Sequence, residues 1–410
     1  MHILFISDNF PPEVNAPASR TFEHCRRWVE SGHRVTVITC VPNFPSGRVF
    51  PGYRNRLFQR EFIDGITVIR VWSFVGANQG FLLRILDYLS FMITSTIAGL
   101  ALKSPDIVIG TSPQFFAACA AWMIAAIKRR PFVFELRDLW PESIKAVGAM
   151  KSGAAIRSLE RIEIFLYRRA AAIISVTHSF KEVLARRGIN PAKISVITNG
   201  ADNSRFYPRP KDQALLSELK MEGKIVVGYI GTHGMAHALE TVIDAAERLS
   251  GDDTWRFLFL GDGARKPDLA RYVTEKKLGN VLFVGSVEKS EVTRYWSLLD
   301  ISVIHLRDTE LFSTVIPSKL FECMAMGIPV ALGVRGESAD IVEAEAVGLT
   351  FPPENSKTLA HTLQRMRDEK ELYAMFKFNG PCAAGKYTRS ALADRMMAIL
   401  EALPKRSLTR

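Results

Sequence analysis

Cysteine is scarce in this chain. Its 410 residues include five, Cys25, Cys40, Cys119, Cys323 and Cys382, without CxxC spacing. So thin and odd a set suits a reducing cytoplasm and excludes a disulfide scaffold; all five read as small buried apolar residues. Long apolar runs are missing too. The uncharged stretch Tyr88–Leu102 has 15 residues, with Arg84 and Asp87 before it and Lys103 after it. A membrane span needs ~20. The uncharged run Ile107–Ile127 is broken by Thr111-Ser112-Pro113-Gln114, so it reads as strand, turn and helix. Both stretches are expected to be buried α/β elements, with insertion into a membrane interface as the alternative. No leader is expected, because Met1–Ile6 enters a strand pattern without a basic segment or a small-residue cleavage site. The chain also lacks an Asp-x-Asp, an HExxH, a zinc finger, an RNP-like aromatic motif and basic-region heptads. Neither nucleic acid nor a metal is therefore an expected partner.

What is present is an excess of positive charge: 53 Lys and Arg against 42 Asp and Glu, net +11. That suits anionic partners such as acidic lipid headgroups or phosphorylated substrates. Hydrophobic residues at 48% and charged residues at 23% fit a folded α/β chain. At this length two domains are expected.

Short β-branched runs alternate with helix-length segments. Strands are expected at Met1–Ser7, Arg34–Thr39, Thr67–Val71, Ile107–Gly110, Phe132–Leu136 and Ala172–Val176, with helices such as Ser19–Ser31 and Ile156–Ala170 between them. The basic, Pro-containing Arg205–Pro210 breaks the rhythm and reads as a linker. Beyond it the pattern restarts, with strands at Lys224–Ile230, Trp255–Leu260, Val281–Val284, Ile301–Leu306 and Val330–Leu332. Alternating βα units with continuous apolar strands predict parallel, doubly wound sheets. The expected division is residues 1–204, residues 205–385, and residues 386–410 carrying a last helix. Such sheets bind ligands outside the carboxyl ends of their strands, so a cleft between the two domains is the expected site.

The most informative stretch is Pro317-Ser318-Lys319-Leu320-Phe321-Glu322-Cys323-Met324-Ala325-Met326-Gly327-Ile328-Pro329-Val330. A helix starting here offers free N–H groups and positive dipole character to a diphosphate. Ser318 supplies a hydroxyl and Lys319 a cation. Glu322, one turn further on, can accept both hydroxyls of a ribose. The plain alternative is an ordinary Lys/Glu pair on a surface helix, and the Gly-Ile-Pro-Val continuation weighs against it.

With Phe10-Pro11-Pro12-Glu13, Gly32-His33-Arg34-Val35, Asn199-Gly200-Ala201-Asp202, Gly261-Asp262-Gly263, Gly336-Glu337 and Gly348-Leu349, this segment resembles the family-4 glycosyltransferases across nearly the whole chain. These are retaining enzymes. The resemblance implies the GT-B fold: two Rossmann-like doubly wound domains facing across a cleft. The acceptor would lie on the first domain and the nucleotide sugar on the second, with the last helix packed back on the first.

The departures from the family pattern are informative. Of its Glu-x7-Glu pair only the second member is present, as Glu322; Thr314 holds the first position and Glu310 lies four residues too early. The family's diphosphate-binding Arg and Lys fall at Thr232 and His237, which leaves Lys319 as the phosphate cation. The first-domain Gly-Gly turn is replaced by Asn15-Ala16-Pro17-Ala18-Ser19-Arg20, so Asn15, Ser19 and Arg20 are the acceptor-side candidates. Thr232–His237, Arg137-Asp138-Leu139-Trp140-Pro141-Glu142 and Ile316–Glu322 resemble a subgroup building bacterial surface polysaccharide. Its members are described as N-acetyl-L-fucosamine transferases, with colanic-acid-type fucosyltransferases as relatives.

The catalytic candidates are Asp138, Arg137 and His237. Asp138 follows an apolar strand, where it can orient an acceptor hydroxyl or accept its proton; capping a helix ahead of Pro141 is the alternative. Arg137 can hold a phosphate or pair with Asp138. The donor-binding candidates are Glu322, Lys319, Ser318, Thr232, His233, Gly234, Gly261, Gly263, Val287, Glu337 and Thr314. His233 and His237 are read as donors to phosphate, Val287 as a neighbour of the base and Glu337 as a contact to sugar hydroxyls. No cofactor is expected. The expected partners are a nucleotide sugar, with UDP as the nucleotide, and a polyprenyl-diphosphate-linked or polysaccharide acceptor. The expected location is the anionic inner face of the cytoplasmic membrane. A sugar-nucleotide epimerase of the same fold and an inactive scaffold are the alternatives.

Overall fold

The computed structural model describes residues 1–44, 47–76, 81–139, 153–288 and 290–404. It divides into two compact units, Met1–Thr198 with Arg389–Arg410, and Asn199–Thr388. Trp140, Pro141 and Glu142 lie outside the described residues.

The first unit holds an eight-stranded sheet of β1 (His2–Ile6), β2 (Arg34–Cys40), β3 (Phe58–Ile63), β4 (Ile66–Val71), β5 (Ile107–Thr111), β6 (Phe132–Leu136), β7 (Ala172–Ser175) and β8 (Ile194–Val196). The order is β3-β4-β2-β1-β5-β6-β7-β8. All neighbours are parallel except β3, which runs antiparallel to β4 around the Asp64-Gly65 turn. Side chains alternate between the two faces of the strands. Phe5, Val37, Ile109 and Val133 pack with Trp28 and with Leu392, Met396 and Leu400 of the last helix, Arg389–Ala402. Trp28 donates its indole N–H to the Ala393 carbonyl (2.9 Å), and Arg27 forms a bidentate pair with Asp394. The opposite face carries the helices Phe81–Ala101, Phe115–Ile127 and Ala154–Arg169. There Gly110 lets β5 approach Ala118 and Ala121, and the Phe134 ring lies 4.9 Å from Tyr167.

The second unit holds six parallel strands: β9 (Ile225–Ile230), β10 (Trp255–Leu260), β11 (Val281–Val284), β12 (Ile301–His305), β13 (Val330–Gly333) and β14 (Gly348–Thr350). Their order is β11-β10-β9-β12-β13-β14. Successive strands are added outward in one direction from β9 and in the other from β12, and these two parallel neighbours pair only at Val227↔Ile301 and Gly228↔Ser302. Their carboxyl ends part beyond that point, leaving space at the topological switch where ligands bind in such sheets.

The structure adds β3 and β14, and the stretch Tyr88–Leu102, expected to be a buried element, lies in the helix Phe81–Ala101 with Ile93 and Ile97 exposed. Among the described residues, no helix is long and apolar enough to cross a membrane.

Candidate functional site

At the switch point of the second unit, β9 ends in Tyr229-Ile230 and turns at Gly231, whose φ is +144°. The loop after β10 lies directly against this turn. A side chain on Gly261 (φ +137°) would collide with the Gly231 carbonyl, and one on Gly263 would sit 2.5 Å from the His233 carbonyl oxygen. The Gly-Asp-Gly sequence is therefore required for two backbones to touch. Hydrogen bonds from Gly231 N–H to Leu260 O (2.9 Å) and from His233 N–H to Asp262 O (2.9 Å) close the contact.

Lys319, the first residue of the Lys319–Met326 helix, reaches beneath this turn. Its ammonium lies 3.8 Å from the centroid of the Tyr229 ring and 2.7 Å from where a Gly231 Cβ would be. Its Nζ is buried and has no hydrogen-bond partner among the described residues. Burial pulls the amine down to about 8, against the opposing pull of Cys323 and Glu322. The Tyr229 face offers a cation–π contact but no counter-charge. Tyr229 itself is fixed by donating its hydroxyl hydrogen to Thr232 O (2.7 Å).

Ser318 precedes this helix with no side-chain capping bond, and Glu322 is half-buried in its first turn. The Phe312–Thr314 turn packs against the start of the Glu337–Ala344 helix, since a Cβ on Gly336 would collide with the Ser313 carbonyl. Ser338 donates to Val315 O (2.7 Å) there. Thr314 and Glu337 thus sit on touching turns, and the Thr314 hydroxyl donates to Leu311 O (2.6 Å).

The two histidines separate. The His233 ring is fully buried, with ring centroids of Tyr229 and Phe283 each 5.8 Å away and that of Phe259 at 6.2 Å. Burial holds it down at about 4. The ring packs the loop, enclosed by aromatics, and both of its nitrogens are buried without a hydrogen-bond partner among the described residues. His237 lies on the Met235–His237 turn, which is stitched to the end of β12. Because His305 Nε2 accepts from Glu354 N–H (2.8 Å), its Nδ1 carries the proton and donates to His237 O (2.7 Å). Burial, then Lys319, push His237 down to about 3. Both effects favour its neutral form.

Thr232 is exposed and Gly234 half-buried on the same loop. Val287, beyond β11, packs partly buried against the core. Among the described residues, no three His, Cys, Asp or Glu side chains cluster as metal ligands would.

In the first unit, Arg137 and Asp138 follow β6, and both backbone N–H groups donate to Ser112 Oγ (2.8 and 3.2 Å). Burial lowers Arg137 to about 10, and it donates to Pro17 O (3.3 Å). Asn15 caps the Ala16–Glu30 helix, accepting from Ala18 N–H (2.9 Å). Two acceptor-side expectations are corrected. Arg20 is buried, paired with Glu135 at 2.9 Å and donating to Ile197 O and Thr198 O. Ser19 is buried beside it. Both belong to the core of the unit.

The family model for the glycosyl transferase 4-like domain matches residues 15–200, and that for glycosyl transferases group 1 matches residues 224–369. This chain is a GT-B glycosyltransferase. Among curated relatives it is 25% identical over 335 residues to WcaI of Escherichia coli K12, named for colanic acid biosynthesis; the match covers 80% of this chain and 82% of that protein. It is 25% identical over 381 residues to a GDP-mannose-dependent alpha-mannosyltransferase of Mycobacterium tuberculosis, covering 92% and 90%. Among solved structures, HepE of Anabaena in complex with UDP and glucose superposes with a TM-score of 0.73 at 18% identity, covering 98% and 99%.

Several residues of the glycosyltransferase escaped the sequence reading. Lys266 donates to the carbonyls of Gly261 (2.9 Å) and Val284 (3.2 Å), pinning the ends of β10 and β11. Glu13 accepts backbone N–H groups of Asn43, Phe44 and Phe10, so it organises the loops after β1 and β2. Burial, then Asp87 and Glu13, raise the Asp8 carboxyl well above its usual range. Phe10-Pro11-Pro12-Glu13 was the available signal for Glu13. Nothing in the sequence marked Lys266.

Proposed function

We propose that this glycosyltransferase moves a sugar from a uridine diphosphate donor to a lipid-linked or polysaccharide acceptor, with retention, during surface polysaccharide synthesis. The sugar is N-acetyl-L-fucosamine or a related 6-deoxy sugar. The observation that carries the reading is the Lys319 ammonium, buried without a partner among the described residues at a helix start, one turn from Glu322. A buried cation without a counter-charge is costly, and a diphosphate supplies one. Glu322 then accepts the ribose hydroxyls, and Thr314 and Glu337 address the sugar. UDP is favoured by the HepE complex, and the pathway by the colanic acid relative.

In this reading the bond from the anomeric carbon to the diphosphate breaks within an ion pair. The acceptor hydroxyl attacks from the same face and gives its proton to the departing phosphate oxygen. Lys319 and the helix N-terminus stabilise the leaving group, so no metal is needed. Asp138 orients the acceptor hydroxyl.

The test is a thermal-shift panel of UDP and GDP sugars, followed by NMR of the product anomer with and without EDTA. Selective stabilisation by UDP sugars and an EDTA-resistant, retained product are expected. Selective stabilisation by GDP-mannose would replace the base, and an inverted product would remove the mechanism.

A further inference from the structure

The helix Phe81–Ala101 buries one side against the sheet and leaves the other uncovered. Leu83, Leu86, Ile93 and Ile97 are 40%, 51%, 55% and 64% exposed. Their spacing places all four on one stripe of the helix, about 20 Å long at 1.5 Å per residue. Ile127 is 64% exposed at the end of the neighbouring Phe115–Ile127 helix. Lys128 ties the two helix ends together, donating to Leu100 O (2.9 Å) and Leu102 O (2.7 Å). Isolated exposed aliphatics need no explanation, but an aligned stripe does.

Basic residues lie at one end of this stripe and along the third helix of the layer, with one exposed acid, Asp106, near Lys103. Lys103 and Arg129 are exposed at its end. The third helix of the layer, Ala154–Arg169, joins the second through Trp122 and Phe165, ring centroids 4.9 Å apart. Its exposed charged residues are all arginine: Arg157, Arg161, Arg168 and Arg169. They share a face with Ile162 and Phe165, and the Arg169 guanidinium lies 5.4 Å from the Phe165 ring.

We infer that this helical layer of the first unit docks on a membrane containing acidic lipid, the aliphatic stripe entering the interface and the arginines meeting phosphate headgroups. An apolar stripe edged by cations is what lying in an interface requires, and a net charge of +11 adds attraction to an anionic leaflet. A two-fold dimer through the same layer would bring arginine stripes into one patch, which charge disfavours. The inference concerns a surface and does not rest on the donor reading.

The test is flotation of the full chain with phosphatidylcholine vesicles, with and without phosphatidylglycerol, in the absence of donor and acceptor. Wild type floats with the acidic vesicles. Ile93→Glu/Ile97→Glu and Arg161→Glu/Arg168→Glu each lower the partition coefficient at least about tenfold. Both variants keep the wild-type melting temperature, because all four positions are exposed. Unchanged flotation of the isoleucine variant would overturn the inference. So would equal binding to neutral vesicles, or a wild-type dimer that the isoleucine variant converts to monomer. Normal flotation of a protein that no UDP sugar stabilises would count against the donor reading alone.

Discussion

The Lys319 ammonium lies 3.8 Å from the centroid of the Tyr229 ring, with no hydrogen-bond partner among the described residues. A lysine held at about 8 in the fold and near 10.5 when unfolded destabilises the native state wherever both forms are charged. Between those values the unfolded chain binds more protons, so stability rises as pH climbs from about 8 to about 10. The rise is on the order of 2–3 kcal/mol. Denaturant titrations across that range will show it, and saturating UDP will flatten it by supplying the missing charge.

Lys319→Met removes the buried cation and keeps the stem. The variant will melt higher than wild type, while kcat/KM falls by about 100-fold, the scale of losing one pre-organised donor to a developing anion. Calorimetry and initial rates measure the two effects separately.

Gly261→Ala will destabilise the second unit by about 2 kcal/mol or more, because its φ is +137° and a Cβ would strike the Gly231 carbonyl. Thermal melts with and without UDP will show the loss, and ligand rescue will be partial because the diphosphate-side loop has moved.

Arg20→Met will cost about 3–5 kcal/mol, since it strands Glu135 without its buried partner. Arg20→Met/Glu135→Leu will recover much of that loss. Burial alone would raise the Glu135 carboxyl, but Arg20 and then Arg137 outweigh it and hold the carboxyl low. The pair's contribution is therefore present above the ordinary carboxylate range and is lost as pH falls through the folded value. A double-mutant cycle by denaturant unfolding checks this.

The pH–rate profile of His237→Gln will keep the wild-type shape between about pH 5 and 8, because His237 is held at about 3 and does not titrate there. A lost inflection near neutrality would mean that His237 titrates in that range after all.

Much of the fold was legible because buried parallel strands are continuous apolar runs, as at Trp255–Leu260 and Phe132–Leu136. β3 was missed although Asp64-Gly65 marks its turn: Phe-Gln-Arg-Glu-Phe-Ile carries neither an apolar run nor a polar–apolar alternation, because every residue of this edge strand stays at least partly in water. At the site, the identity of Lys319 was readable and its burial was not. That burial depends on Tyr229 and the Gly231 turn, which the topology brings there. His233 looked like a loop donor, and its burial against Tyr229, Phe259 and Phe283, which lie on three different strands, was not legible. Arg20 looked like a loop residue because its partner, Glu135, lies 115 positions away.

The account rests on Lys319 and Glu322 forming a cradle for a nucleoside diphosphate. Isothermal titration of UDP and of uridine into wild type, Lys319→Met and Glu322→Gln tests it most directly. Wild type should prefer UDP strongly, Lys319→Met should bind the two ligands nearly alike, and Glu322→Gln should weaken both by roughly 30-fold or more through the lost ribose bonds. Wild-type affinity for UDP in both variants would contradict the account.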